Sequence, residues 1–212
     1  ATELSYFGAR VIHPKTVLPA VERGIPIRIK NTFNPEGPST LITSSTPEGS
    51  STIKAITAIK GLSLVTVEGR GMIGVPGIAA KVFSAVAQEG ISVLMISQSS
   101  SEQNICFTIR SAESARAITA LKEAFALELA AKNVDRIWAE DGMAIVAAVG
   151  QGMRRTPGIA AKLFGALGKA GINVVSIAQG SSEFNISLVV SEAQVEDAVR
   201  AIHREFDLGR EG

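Results

Sequence analysis

Gly71-Met72-Ile73-Gly74-Val75-Pro76-Gly77-Ile78-Ala79-Ala80-Lys81-Val82-Phe83 is answered later in the chain by Gly152-Met153-Arg154-Arg155-Thr156-Pro157-Gly158-Ile159-Ala160-Ala161-Lys162-Leu163-Phe164. The offset, 157 − 76 = 81, holds downstream: Gly90-Ile91 returns as Gly171-Ile172, Gln98 as Gln179, Ser100-Ser101-Glu102 as Ser181-Ser182-Glu183, and Asn104-Ile105 as Asn185-Ile186. Repetition kept in loops as well as at apolar positions means two copies of one small unit.

Each copy repeats one order of elements. Leu62 to Val67 alternates as a strand, and Val75-Pro76 opens a helix with Ile78, Val82 and Val86 on one face. Gly90 ends that helix at a position suited to positive φ. Ile91 to Ser97 and Asn104 to Ile109 are strands whose connection, Gln98 to Gln103, is too short for a crossover helix, so they are antiparallel. A helix from Ala112 to Ala130 turns Ile118, Leu121 and Phe125 inward, and Val134 to Trp138 is a fourth strand. The fold class is therefore α+β: two ferredoxin-like βαββαβ domains in tandem.

The second copy runs through Met143 to Val149, Pro157 to Lys169, Ile172 to Ala178, Asn185 to Val190 and a helix from Glu192 to Phe206, with Ser191 and Gln194 as a capping box. After Phe206 no fourth strand is written, whereas the strand-like Ile53 to Ile59 upstream has no place in the first copy. The expectation is that this segment completes the second domain, so that the first is inserted into it: residues 61–139 form domain 1, and residues 53–60 with 140–212 form domain 2.

Residues 1–43 lie outside the duplication. Glu3 to Val11 and Thr16 to Arg23 read as short helices broken at His13-Pro14, Pro26 to Asn31 as a half-exposed strand, Asn34 to Pro38 as a turn and Thr40 to Thr43 as a last strand. Large apolar residues are too few here for a separate core, so the segment reads as the tail of something longer. Residues 44–52 are a linker.

With 21 basic against 20 acidic side chains, the net charge of +1 makes no electrostatic case for nucleic acid or an anionic membrane. No apolar run approaches the roughly 20 residues that span a bilayer, nor is there a signal-peptide start, and a cytoplasmic setting is expected. Cys106, the one cysteine, reads as a small residue in an apolar strand. Two histidines without clustered acids or thiols offer no metal site, and neither His13 nor His203 has the partners of a hydrolytic triad. Gly69-Arg70-Gly71-Met72-Ile73-Gly74 spells the dinucleotide G-x-G-x-x-G, but the second copy breaks it, no acid ends the following strand, and the next connection is a hairpin.

The repeated polar letters Gln98, Ser100, Ser101, Glu102 and Asn104, with their copies, fall beside the loop that opens the first helix. Free N–H groups at a helix start favour a carboxylate, and an amide side chain with a strand edge offers acceptors to an ammonium or hydroxyl. That chemistry suits a small amino acid; the same letters also suit a pair of hydrogen-bonded turns.

Leu4-Ser5-Tyr6-Phe7-Gly8-Ala9-Arg10-Val11-Ile12-His13-Pro14, then Ile29-Lys30-Asn31-Thr32, then two copies carrying Gln-x-Ser-Ser-Glu, resemble the carboxyl-terminal part of aspartate kinase, more narrowly the aspartokinase-homoserine dehydrogenase type. The resemblance covers essentially the whole chain. It implies paired ACT domains, one inserted in the other, that bind an end-product amino acid and inhibit phosphorylation of aspartate by ATP, the first step toward lysine, threonine and methionine. Residues 1–43 would then be the tail of the kinase domain, and the parent's cofactors ATP and Mg. The implied effector contacts are Gln98 and Gln179; the loop positions Gly71, Met72, Ile73, Gly74, Pro76, Gly77 and Ile78 with Gly152, Met153, Pro157, Gly158 and Ile159; and the strand positions Ser92, Val93 and Leu94 with Asn173, Val174 and Val175. Lysine-sensitive relatives tend to carry aspartate where this chain has Leu94, which favours threonine over lysine. No catalytic residue is expected here: the family's Lys-Phe-Gly-Gly motif belongs upstream of Ala1, and the chain alone is expected not to phosphorylate aspartate. A homodimer through sheet edges and helices is expected. Two alternatives stay open: an assembly module with no working effector site, and a lysine-responsive regulatory domain.

Overall fold

Gly61 (φ 74°) and Gly142 (φ 71°) sit midway along the two longest strands, β3 (Ala55–Glu68) and β6 (Arg136–Val149), and let each strand bend without ending. The register between β3 and β6 slips between Ile59 and Leu62 and again between Leu62 and Leu64, the signature of bulged pairing. Each strand was expected as two, broken at these glycines. They are continuous because a bulge absorbs the bend while hydrogen bonds persist on both sides of it, from Ala55↔Val149 to Glu68↔Arg136.

The computed structural model describes residues 3–4, 12–43, 52–153, 156–180 and 184–209. Most of the expected helix Glu3 to Val11, most of the linker, Arg154-Arg155 and Ser181-Ser182-Glu183 lie outside them. The N-terminal segment holds α1 (Pro14–Glu22) and the antiparallel pair β1 (Ile27–Ile29) and β2 (Thr40–Ile42). Apart from the buried Val17, its large apolar side chains are poorly covered: Leu18, Val21, Ile25 and Leu41 are exposed and Phe33 is 98% exposed.

Between β3 and β6 come α2 (Ile78–Gln88), β4 (Met95–Gln98), β5 (Asn104–Arg110), α3 (Ser114–Ala124) and α4 (Ala126–Ala130). After β6 come α5 (Ile159–Lys169), β7 (Ser176–Ala178), β8 (Asn185–Ser191) and α6 (Val195–Glu205). All six long-sheet strands form one antiparallel sheet in the order β4-β5-β3-β6-β8-β7. The strand alternation sorts side chains onto two faces. Val65, Val67, Ile105, Phe107 and Ile109 meet Val82, Val86, Leu121 and Phe125 of the helices α2 and α3 and their ends in one core. Ala144, Val146, Ala148, Ile186, Leu188 and Val190 meet Leu163, Leu167, Ala198 and Ile202 of α5 and α6 in another. The opposite sheet faces pack on each other through Leu62, Leu64, Met95, Met143, Ile145, Ala147, Val149 and Val189. At this seam the outermost strands meet, and the Ser97 hydroxyl donates to the Ile177 carbonyl at 3.1 Å.

The segment before β3 stands to the second half as the segment before β6 stands to the first. Asp135 N–H donates to the Glu68 carbonyl and Lys54 N–H to the Val149 carbonyl, both at 2.8 Å. Ile53 and Val134 are each 1% exposed in their respective cores.

Several expected boundaries move for local reasons. Helices α2 and α5 begin at Ile78 and Ile159, not at Pro76 and Pro157, because Gly77 (φ 90°) and Gly158 (φ 87°) are left-handed. The helix expected over Ala112 to Ala130 opens with a 3-10 turn and breaks at Phe125, whose fully buried ring anchors the first core. The strands expected from Ile91 and Ile172 pair as strands only from Met95 and Ser176. The Ser191 and Gln194 capping box is absent: a 3-10 turn, Glu192–Gln194, precedes α6 without a side-chain cap, and Glu192 instead accepts the Gly61 N–H at 2.8 Å. Among the described residues no helix is long and apolar enough to cross a membrane, and no group of His, Cys, Asp or Glu could hold a metal ion.

Candidate functional site

Each half builds a hollow where three pieces of chain converge. In the first, the loop after β3 leads through a 3-10 turn, Arg70–Met72, to the uncapped start of α2, whose first-turn N–H groups have no intrahelical acceptor. The β4–β5 hairpin lies beside this loop and is tied to it twice: Gly69 N–H donates to the Gln103 carbonyl at 2.9 Å, and Gly74 N–H to the Glu102 carboxylate at 2.8 Å. Between them is a cavity of about 320 Å³ lined by Met72, Gly74 to Ala79, Gln98, Glu102 and Ile105.

The second half repeats the arrangement. Gly150 N–H donates to the Phe184 carbonyl at 2.9 Å, and the Thr156 hydroxyl to the Gly152 carbonyl at 2.6 Å. Its cavity, also about 320 Å³, is lined by Met153, Thr156 to Ala160, Gln179 and Ile186. Among the described residues the two are not electrostatic equals: Glu102 is the one ionisable side chain lining the first, and the lining of the second has none. A third hollow, about 380 Å³ between α5 and α6, is lined by alanines and by Lys169, Arg204 and Glu205, with Lys169 and Glu205 paired at 3.8 Å.

Glycine packing fixes the loop walls. A Cβ on Gly69 would lie 2.3 Å from the Asn133 carbonyl oxygen, and one on Gly150 would lie 2.2 Å from that of Thr52. Behind the first wall, Lys81 of α2 pairs with Glu128 of α4 and lies 4.8 Å over the Phe125 ring. The Lys81 ammonium, with the Glu128 backbone amide, holds the Glu128 carboxyl below its usual range.

Of the residues singled out in the sequence, Met72, Gly74, Pro76, Gly77, Ile78 and Gln98 share the first cavity, and Met153, Pro157, Gly158, Ile159 and Gln179 the second. The others stand elsewhere. Gly71 and Gly152 pack against Asn133 and Thr52. Ile73 is half-exposed, Ser92 and Asn173 are exposed, and Val175 is 38% exposed. Val93 and Val174 pack against their helix-side cores, and Leu94 against the layer between the sheets. Sequence reasoning missed Ala79, Ile105, Ala160 and Ile186 as lining, and left Glu102 as a repeated polar letter. The 81-residue repetition of Ile105 in Ile186 was the available signal, but an apolar strand residue reads first as core.

The ACT domain family model matches residues 65–125 and 146–206, the two halves just described. The chain belongs to the ACT domain family. The whole chain is 44% identical over 99% of its length to the Arabidopsis thaliana bifunctional aspartokinase/homoserine dehydrogenase 1, chloroplastic, and covers 24% of that relative. This chain thus spans about a quarter of the length of the curated relatives it matches. The regulatory subunit of aspartate kinase from Thermus thermophilus is 32% identical, with a TM-score of 0.61, covering 73% of this chain and 99% of that one. Escherichia coli aspartokinase III, solved in complex with lysine and aspartate, is 30% identical with a TM-score of 0.74, covering 97% of this chain and 44% of that one. Over most of their length these ACT domains are similar to the regulatory region of aspartate kinases.

Proposed function

We propose that the two cavities are effector sites for an end-product amino acid, with threonine favoured, and that occupancy feeds back on phosphorylation of aspartate by Mg-ATP in a longer parent protein. The observation that carries this reading is the doubled geometry: uncapped helix-start amides facing a glutamine, Gln98 or Gln179, across a cavity of metabolite size. The amides suit a carboxylate, the glutamine amide suits a side-chain hydroxyl, and Val75, Ile78 and Ile105 suit a methyl group. Feedback follows when the effector binds one arrangement of the domains more tightly than the other.

We further read the first ACT domain as inserted into the second, with residues 53–60 supplying the strand beside 145–149. The pairing of Ala55↔Val149 through Ile59↔Ile145 and the place of Ile53 in the second core support this. Residues 1–43 would carry the effector's signal toward the kinase lobe. Assembly is a second role favoured by a specific observation: the edge strands β4 and β7 leave Ile96 and Ile177 48% and 45% exposed, as a homodimer interface would require.

Isothermal calorimetry with threonine, lysine and methionine tests the effector reading. Threonine is expected to give heat; Gln98→Ala and Gln179→Ala each weaken one site by about 1–3 kcal/mol, the cost of a buried polar contact left unmade. Absence of heat and of thermal shift with all three amino acids leaves assembly alone.

A further inference from the structure

Glu102 is held in an unusual way. Its backbone is left-handed at φ 56°, in a turn closed by its own N–H to the Ser99 carbonyl at 3.0 Å, and its carboxylate reaches across to the Gly74 amide on the opposite wall. It thereby straps together the two loops that bound the first cavity. Among the described residues it is also the one ionisable side chain in that lining, beside Met72, Val75, Ile78 and Ile105, and none of the described lining is cationic.

Resting on the effector reading above, we propose that Glu102 is the specificity residue of the first pocket: the ligand's carboxylate takes over the Gly74 amide, and the released Glu102 carboxylate pairs with the ligand's ammonium. The exchange conserves hydrogen bonds and charge only for a zwitterion. A 2-hydroxy or 2-oxo acid of the same shape brings a second anion and no cation, so it meets like-charge repulsion at short range. The pocket therefore distinguishes an amino acid from the corresponding hydroxy acid by charge and not by fit.

The test uses the 212-residue chain carrying Gln179→Ala, which weakens the second pocket so that the first titrates at lower ligand concentration. The probes are L-threonine, or L-lysine if threonine gives no heat, and the 2-hydroxy analogue of whichever binds. With Glu102 present the amino acid binds and the hydroxy acid is at least about 10-fold weaker. Glu102→Gln is expected to cross these affinities, weakening the amino acid about 10-fold and strengthening the hydroxy acid by a similar factor. Glu102→Asp, which keeps the charge, retains rejection of the hydroxy acid. Circular dichroism and thermal melting establish that each variant folds. Parallel weakening of both probes in Glu102→Gln, no change in either, or loss of rejection in Glu102→Asp overturns the exchange while leaving the effector reading intact. If the parent chain binds neither amino acid, both fall together.

Discussion

Gly69 and Gly150 illustrate how much a missing side chain decides. Each lets a backbone segment cross so closely that a Cβ would fall within 2.3 Å of a carbonyl oxygen, on Asn133 or Thr52. Backbone cannot rotate away as a flexible side chain can, so Gly69→Ala and Gly150→Ala are each expected to destabilise by about 1–3 kcal/mol or more. Gly165 is the internal control: it is exposed on α5 and nothing lies within 4 Å of an added Cβ. Gly165→Ala is expected to stabilise by about 0.5–1 kcal/mol through helix propensity. Urea denaturation of the three variants checks the ordering, and equal effects at all three positions would remove the close-approach argument. The repeated Gly-x-Gly could be read from the sequence as special; the reason for it could not, since Asn133 lies 64 residues from Gly69 and Thr52 lies 98 residues from Gly150 along the chain (133 − 69 and 150 − 52).

At the scale of elements, the short α4 is fastened to α2 through Glu128 and Lys81, with Lys81 also over Phe125. A carboxyl held below its usual pKa by folding contributes stability that is fully present above its unfolded value near 4.5 and is lost as pH falls through the lower folded value. Melting temperature is therefore expected to drop on acidification below pH about 4.5, and Glu128→Gln to flatten that part of the profile at a cost of about 1 kcal/mol at neutral pH. An unchanged acid limb in Glu128→Gln would deny the pair this role. The elements themselves were largely legible: the 3.6-residue spacing of Ile78, Val82 and Val86 and the turn residues between β4 and β5 come from local preference. Their starts were less so, because Pro76-Gly77 and Pro157-Gly158 resemble helix openings until the left-handed glycine places the first helical residue after them. The Ser191 and Gln194 pattern misled for a related reason, since Glu192 answers to Gly61, a partner 131 residues away.

For the whole molecule, the layer between the two sheet faces makes the ACT pair one body. Leu62 and Ile145 are fully buried there, on strands that belong to both halves. Leu62→Ala and Ile145→Ala are each expected to cost about 2–5 kcal/mol and to lower a single calorimetric transition as a unit. Two separable transitions would show that the halves unfold independently. By mass action, an effector at 100 times its dissociation constant adds about 2.7 kcal/mol per site to the folded state, so the same calorimeter reports occupancy.

The sequence by itself determined that there are two copies, what each is made of, and which loops and glutamines form the candidate sites. These depend on periodicity and on backbone preferences that act within a few residues. Only the tertiary structure decided that β3 and β6 run unbroken through both halves, that Leu94 faces the layer between the sheets, and that Glu102 reaches the Gly74 amide. Those facts depend on which distant groups share one small volume. Bulges at Gly61 and Gly142 fold the sheet until its helix-free faces meet, and burial of that apolar surface fixes the contacts.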